Sequence, residues 1–212
     1  MKPIDALPKL MLITDSARMQ ISLPKWTEEV CAAGGRLIQL REKHLGGAQL
    51  YHLASTLRRI TMRYGAKLLI NDRADVAWAT EADGVVVPEL GLPIEVVRKL
   101  HAKWLIAKSV HDLAGAKAAE QSGADLLIFG HIFKTASKPN VAPRGLEALK
   151  AITEQVQIPV FAIGGITAQT ARACLESGAF GVAVMSEIVL AENIGQAVQT
   201  LLQAIADTVQ RS

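Results

Sequence analysis

One imidazole, two hydroxyls and three cations fall within the stretch FGHIFKTASKPNVAPRGL from Phe129 to Leu146: His131, Thr135 and Ser137, and Lys134, Lys138 and Arg144. Cations and hydroxyls hold an anion, and an imidazole titrating near neutrality can take up a proton and return it. The combination suits a small anionic ligand whose reaction is a proton transfer. In isolation the same loop also suits a solvated turn with a capping histidine, so the rest of the chain has to decide. The stretch leaves the apolar run Leu126, Leu127, Ile128 and Phe129, the pattern of a buried strand delivering polar groups to an open end.

Other apolar runs end in the same way. Polar residues close them at Thr14-Asp15, at Asn71-Asp72-Arg73 and at Ser109-Val110-His111, and one run passes into Gln39, Arg41 and Lys43. Strand alternation puts Gln39, Arg41 and Lys43 on one face and Ile38 and Leu40 on the other. An ion-pair cluster with Glu42, Asp15 or Asp72 would explain one or two of these charges, but less easily their recurrence at several strand ends. Near the C-terminus, Gly164-Gly165 follows Ala162-Ile163, and Met185-Ser186 follows Val184. Glycines there admit a ligand close to the backbone, and the start of a following helix offers free N–H groups to a phosphate.

The elements that must position these groups alternate along the chain. β-rich runs at Leu10 to Thr14, Arg36 to Arg41, Lys67 to Asn71, Gly84 to Val87, Trp104 to Ser109, Asp125 to Phe129, Ile158 to Ile163 and Phe180 to Met185 are separated by stretches with helical spacing. About eight βα units in 212 residues predict a compact (β/α)8 barrel, an α/β fold in one domain over residues 1–212. An open doubly wound sheet is the alternative, but Ile13-Thr14-Asp15-Ser16-Ala17 after the first strand lacks the glycines of a dinucleotide site. A barrel of this kind carries its chemistry at the C-terminal ends of the strands, where the polar groups fall.

Bulk properties narrow the partners. A net charge of +3 with both signs dispersed gives no basic tract for nucleic acid or an anionic membrane surface. No apolar run is long enough to cross a bilayer or to form a signal-peptide core, which predicts a soluble protein. Cys31 and Cys174 lie far apart with no metal-ligand spacing, consistent with a reducing cytoplasm, with no disulfide framework and with no structural metal.

With these residues gathered, the chain resembles the thiamine phosphate synthase and TenI (thiazole tautomerase) superfamily over almost its whole length. The matching pieces are Gln39-Leu40-Arg41-Glu42-Lys43, Ile70-Asn71-Asp72-Arg73, Ser109-Val110-His111, Phe129 to Leu146, Ala162-Ile163-Gly164-Gly165-Ile166 and Val184-Met185-Ser186. The resemblance implies a (β/α)8 barrel, a homodimer, and work in the thiazole branch of thiamine biosynthesis. Synthases of the superfamily carry a magnesium-binding aspartate in a pattern like HLGQxDLP after the fourth strand. Here that segment reads Val86-Val87-Pro88-Glu89-Leu90-Gly91-Leu92-Pro93, with Gly91 in the aspartate's place and Asp72 left as a single metal carboxylate. Synthases also usually have proline after the glycine of strand six, where this chain has His131 as the tautomerase does.

The resemblance therefore implies a TenI-type thiazole tautomerase without metal or cofactor, with His131 as the proton carrier and His111 as a second candidate. The implied substrate is a small phosphorylated carboxythiazole precursor. Its phosphate falls to the backbone of Gly164, Gly165, Met185 and Ser186, and its carboxylate and ring to Gln39, Arg41, Lys43, Asn71, Ser109, Thr135, Ser137 and Lys138. Asp72 joins these residues at the substrate or, without its metal partner, pairs with Arg41 or Lys43 and holds them in position, a choice the sequence leaves open. The alternatives are thiamine phosphate synthesis itself and a non-catalytic protein that binds thiazole or thiamine phosphates.

Overall fold

Apolar runs buried on both faces suit strands of a parallel sheet covered by helices, and the computed structural model has this arrangement over the residues it describes, 7–137 and 139–210. The strands are β1 (Leu10–Ile13), β2 (Leu37–Leu40), β3 (Lys67–Asn71), β4 (Gly84–Val87), β5 (Leu105–Val110), β6 (Leu126–Gly130), β7 (Val160–Ile163) and β8 (Gly181–Val184). All neighbours are parallel, they follow chain order, and β8 pairs back onto β1 to close a (β/α)8 barrel. Around it lie α1 (Leu23–Ala32), α2 (Gly47–Arg63), α3 (Ala74–Ala79), α4 (Ile94–Leu100), α5 (Leu113–Gln121), α6 (Gly145–Thr153), α7 (Ala168–Glu176), the short α8 (Ser186–Val189) and α9 (Ile194–Val209). No described helix is long and apolar enough to cross a membrane.

Alternation along each strand divides the core in two. Met11, Ile13, Leu37, Leu69, Val86, Ala107, Ile128, Phe161 and Ala183 pack together inside the barrel, whereas Leu12, Ile38, Leu40, Leu68, Ile70 and Val85 pack with the helices. The expected split of β2 therefore holds for Ile38 and Leu40 against Gln39. It does not extend to Lys43. The backbone N–H of Arg41 donates to the buried Thr14 hydroxyl at 2.9 Å instead of continuing the sheet, so β2 stops at Leu40 and Lys43 sits exposed in the following turn. The run at Ile158 likewise starts later, at Val160, since Pro159 has no N–H to donate.

Helix starts are fixed locally. Side chains of Asp112, Thr167 and Asn193 accept N–H bonds from Gly115, Thr170 and Gln196, capping α5, α7 and α9. The N-terminal end of the barrel is tied by ion pairs: Arg58 meets Asp83 and Arg98 meets Asp125, each at 2.7 Å. These two carboxylates also accept the N–H groups of Leu68 and Ile106, so they seal strand starts.

Candidate functional site

Two of the cavities among the described residues lie at opposite ends of the barrel. The larger, about 1030 Å3, opens where the strands begin, among Lys67, Asp83, Leu105 and Asp125, whose carboxylates are already committed to the ties above. The other, about 490 Å3, opens at the C-terminal ends of β1, β6, β7 and β8 and is lined by Arg18, Arg41, His131, Lys134, Thr135, Ser137, Gly164, Gly165, Met185 and Ser186. Its size is that of a small-molecule site, and it lies on the face where barrels of this type carry their chemistry. Nine of these ten residues, all but Arg18, are those singled out in the sequence, and they come from strand ends far apart in the chain.

His131 stands directly after β6, joined to Gly130 by a cis peptide bond, and is 5% exposed. Its Nε2 lies 3.1 Å from the carbonyl oxygen of Val141. A carbonyl only accepts, so Nε2 is the donor in this contact, and Nδ1 is the ring nitrogen it leaves for another partner. The loop that brings Val141 there is pinned twice more: Arg144 N–H donates to the His131 carbonyl at 2.8 Å and Gly145 N–H to that of Ile132 at 3.1 Å. The loop composition read from the sequence is thus folded back over its own histidine. Thr135 is half-buried, Lys134 and Ser137 are exposed at the rim, and Lys138 lies outside the described residues.

The glycine pair has a steric reason. Gly164 has φ +98°, and a Cβ there would come 2.2 Å from the His131 Cβ; Gly165 has φ +66°, and its Cβ would come 2.5 Å from the Lys134 carbonyl oxygen. Both positions belong to glycine because the loop after β7 passes under the loop after β6, whose Ile132 and Phe133 N–H groups donate to Ile163 and Gly164. The helix expected to offer a dipole beside them, α8, has only four residues. The nearby positive charge comes from a residue the sequence reading did not single out. Arg18 reaches across from the turn after β1 and donates from Nη1 to the Ser186 hydroxyl at 3.0 Å. That turn is held by Glu42, 5% exposed, whose carboxylate accepts the Ser16 N–H and, at 2.6 Å, the Ser16 hydroxyl. Glu42 is therefore a tether between loops and not a partner of Arg41 or Lys43.

The opposite side of the mouth is arranged differently from the expectation. Gln39, 3% exposed, donates from Nε2 to Asn71 Oδ1 at 2.9 Å, and its Oε1 is buried without a partner. Asp72 is exposed, has φ +64°, and makes no ion pair with Arg41 or Lys43 among the described residues; the cations acting on it are Lys108 and Arg73. Ser109 and His111 line a separate cleft of about 440 Å3 with Lys108 and Glu89. His111 donates from Nδ1 to the Gly130 carbonyl at 2.7 Å and turns Nε2 toward Glu89 at 3.8 Å, so it buttresses the peptide before His131 from outside the His131 cavity. Lys108 donates to the Pro88 and Glu89 carbonyls, and burial lowers its pKa.

The resemblance raises the question of magnesium. A Cβ at Gly91 would lie 3.2 Å from Asp72 Oδ1, so this is where a second carboxylate would complete a pair, and glycine supplies none. Glu89 faces His111, and the described residues contain no cluster of three His, Cys, Asp or Glu able to hold a metal. The donor set does not fit a resident magnesium ion, which takes hard oxygen ligands in an octahedron.

Comparison with known proteins agrees with this geometry at the level of family. A family model described as thiamine monophosphate synthase matches residues 10–188. A putative thiamine-phosphate synthase 2 of Aquifex aeolicus is 43% identical over 180 residues, covering 85% of this chain and 97% of the relative. The thiamine-phosphate synthase of Chloroflexus aurantiacus is 37% identical over 206 residues, covering 96% and 95%. Among solved structures, a thiamine phosphate pyrophosphorylase from Pyrococcus furiosus superposes with a TM-score of 0.88 at 37% identity, covering 95% of this chain and 96% of that one. With the family match spanning most of the barrel, this chain belongs to the thiamine monophosphate synthase family, enzymes of thiamine biosynthesis.

Proposed function

We propose that this member of the family is a thiazole tautomerase, converting the carboxylated dihydrothiazole ethyl phosphate into its aromatic carboxythiazole tautomer. The observation that carries the reading is His131, whose Nε2 is engaged by the Val141 carbonyl, in a cavity shared with Arg41 and the glycine loop. In this reading Nδ1 takes the proton from the ring carbon bearing the carboxylate and returns it to the exocyclic carbon. The double bonds shift, and no other bond is made or broken. Arg41, Thr135 and Ser137 hold the carboxylate and stabilise the charge that develops as the proton leaves. The phosphate lies along the backbone of Gly164, Gly165, Met185 and Ser186. The lone carboxylate at Asp72 supports the same reading, since proton transfer between carbons needs no metal.

Thiamine phosphate synthesis is the second reading, and the names of the relatives favour it. The amide pair of buried Gln39 and half-buried Asn71, with Gln39 Oε1 unpartnered, is a polar surface outside the His131 cavity that a second substrate could use. Against it stands Gly91, which leaves Asp72 alone to meet a magnesium diphosphate.

The test is a paired assay of wild type and His131→Ala, following aromatisation of the dihydrothiazole substrate in EDTA with no pyrimidine diphosphate present. Loss of a general base costs roughly 100- to 10,000-fold, and the mutant should still bind product. A wild type no faster than buffer ends the tautomerase reading. Activity only with magnesium and pyrimidine diphosphate establishes the synthase, and silence in both assays leaves a ligand-binding protein.

A further inference from the structure

Arg18 belongs to no expectation drawn from the sequence, yet it stands over the end of the cavity formed by Gly164, Gly165 and Ser186. We propose that Arg18 is the charged clamp for a phosphomonoester dianion at this mouth, and that it sets the preference for phosphorylated over unphosphorylated ligands. For the identity of the ring the inference rests on the tautomerase reading.

The neutral groups at this end offer a dianion no full positive charge. Backbone N–H groups of a glycine turn contribute partial charges, and a four-residue α8 adds little dipole to them. Arg18 brings a whole charge on a planar fork of five donors, a geometry matched to phosphate oxygens. One donor is placed by the 3.0 Å bond to Ser186 Oγ, and the Asp15 carboxylate at 3.7 Å is beyond hydrogen-bond length. The remaining donors have no hydrogen-bond partner among the described residues. The guanidinium is also held in advance. Buried Glu42 fixes Ser16, Ser16 starts the 3-10 turn Ser16–Arg18, and the turn delivers Arg18 to the cavity. A side chain 31% exposed and already oriented loses less freedom on binding than a free surface arginine.

Isothermal titration with thiazole ethyl phosphate and with its unphosphorylated alcohol reads the clamp directly. Arg18→Gln should weaken the phosphate ester by roughly 10- to 100-fold, the range for charge-assisted hydrogen bonds, and leave the alcohol unchanged. Arg18→Lys should recover part of the loss, and Asp15→Asn, which removes the competing carboxylate, should strengthen phosphate binding. If Arg18→Gln weakens ester and alcohol equally, or neither, Arg18 is only a staple between β1 and α8 and the proposal is overturned. Inorganic phosphate separates this inference from the function above. A rise in Tm with inorganic phosphate in wild type but not in Arg18→Gln supports the clamp even if no thiazole binds, in which case only the tautomerase reading falls. A wild type indifferent to inorganic phosphate and to the ester overturns the clamp.

Discussion

Replacing Gly164 by alanine tests whether the loop after β7 positions His131. The added Cβ would lie 2.2 Å from the His131 Cβ and 2.8 Å from its Cα. Carbon atoms settle near 3.5 Å, so one loop must retreat by about 1.3 Å. The backbone of Gly164 also sits at φ +98°, where an L side chain is strained by about 1–2 kcal/mol. At this chain length that lowers Tm by roughly 2–8 °C. The larger effect falls on chemistry, since a displacement of about 1 Å in a reacting group costs on the order of a hundredfold in rate. Steady-state kinetics of aromatisation with a parallel thermal melt gives both numbers, and the His131 ring signals in an NMR spectrum report the displacement independently of turnover. Wild-type rate together with unmoved His131 signals would refute the reasoning, because it would mean that the loops part without disturbing the histidine.

Three further predictions follow from other parts of the structure. Gly91→Asp places a carboxylate against Asp72 in a space already tight to Pro88 Cδ at 2.8 Å, and should cost about 1–3 kcal/mol without metal. Magnesium at a hundredfold excess over its Kd should return about 2.7 kcal/mol to the variant and nothing to wild type; equal gains in thermal melts of the two proteins would show that Asp72 suffices alone. Cys31 and Cys174, both fully buried with thiols pushed up to about 11 and about 12 by burial, should resist alkylation at pH 8 until the protein unfolds. Because their folded pKa values lie above that of an unfolded thiol near 8.5, their contribution to stability is complete below about pH 8.5 and is lost as pH rises through 11 to 12, which urea melts across that range measure. Glu42→Ala removes the acceptor of Ser16 N–H and hydroxyl and should cost about 1.5–3 kcal/mol in urea unfolding while loosening the Arg18 turn; an unchanged midpoint would mean the tether carries no load.

Much of this architecture is written in local chemistry. Runs such as Leu68-Leu69-Ile70 and Leu126-Leu127-Ile128 are apolar at every position because a parallel strand in a helix-covered barrel is buried on both faces, and β3 and β4 begin and end where their sequences suggest. That His131, Arg41, Gly164 and Ser186 would gather at one cavity was legible, since barrel strand ends share a mouth and strand ends can be found along one chain. What depended on contacts between distant segments was not legible. The end of β2 is set by a hydroxyl at Thr14, which takes the N–H that would have extended the alternation to Lys43. His111 follows its strand as His131 does, yet the Gly130 carbonyl and Glu89 turn it into another cleft. Arg18 lies on no strand; the bonds that Ser16 donates to Glu42 hold its turn, and its own bond to Ser186 holds it at the cavity. Residue types and periods fixed the barrel and its open end, because burial and backbone pairing act on neighbours in sequence; which polar groups meet there was decided by loops crossing between strands, where single long-range hydrogen bonds choose the direction of each side chain.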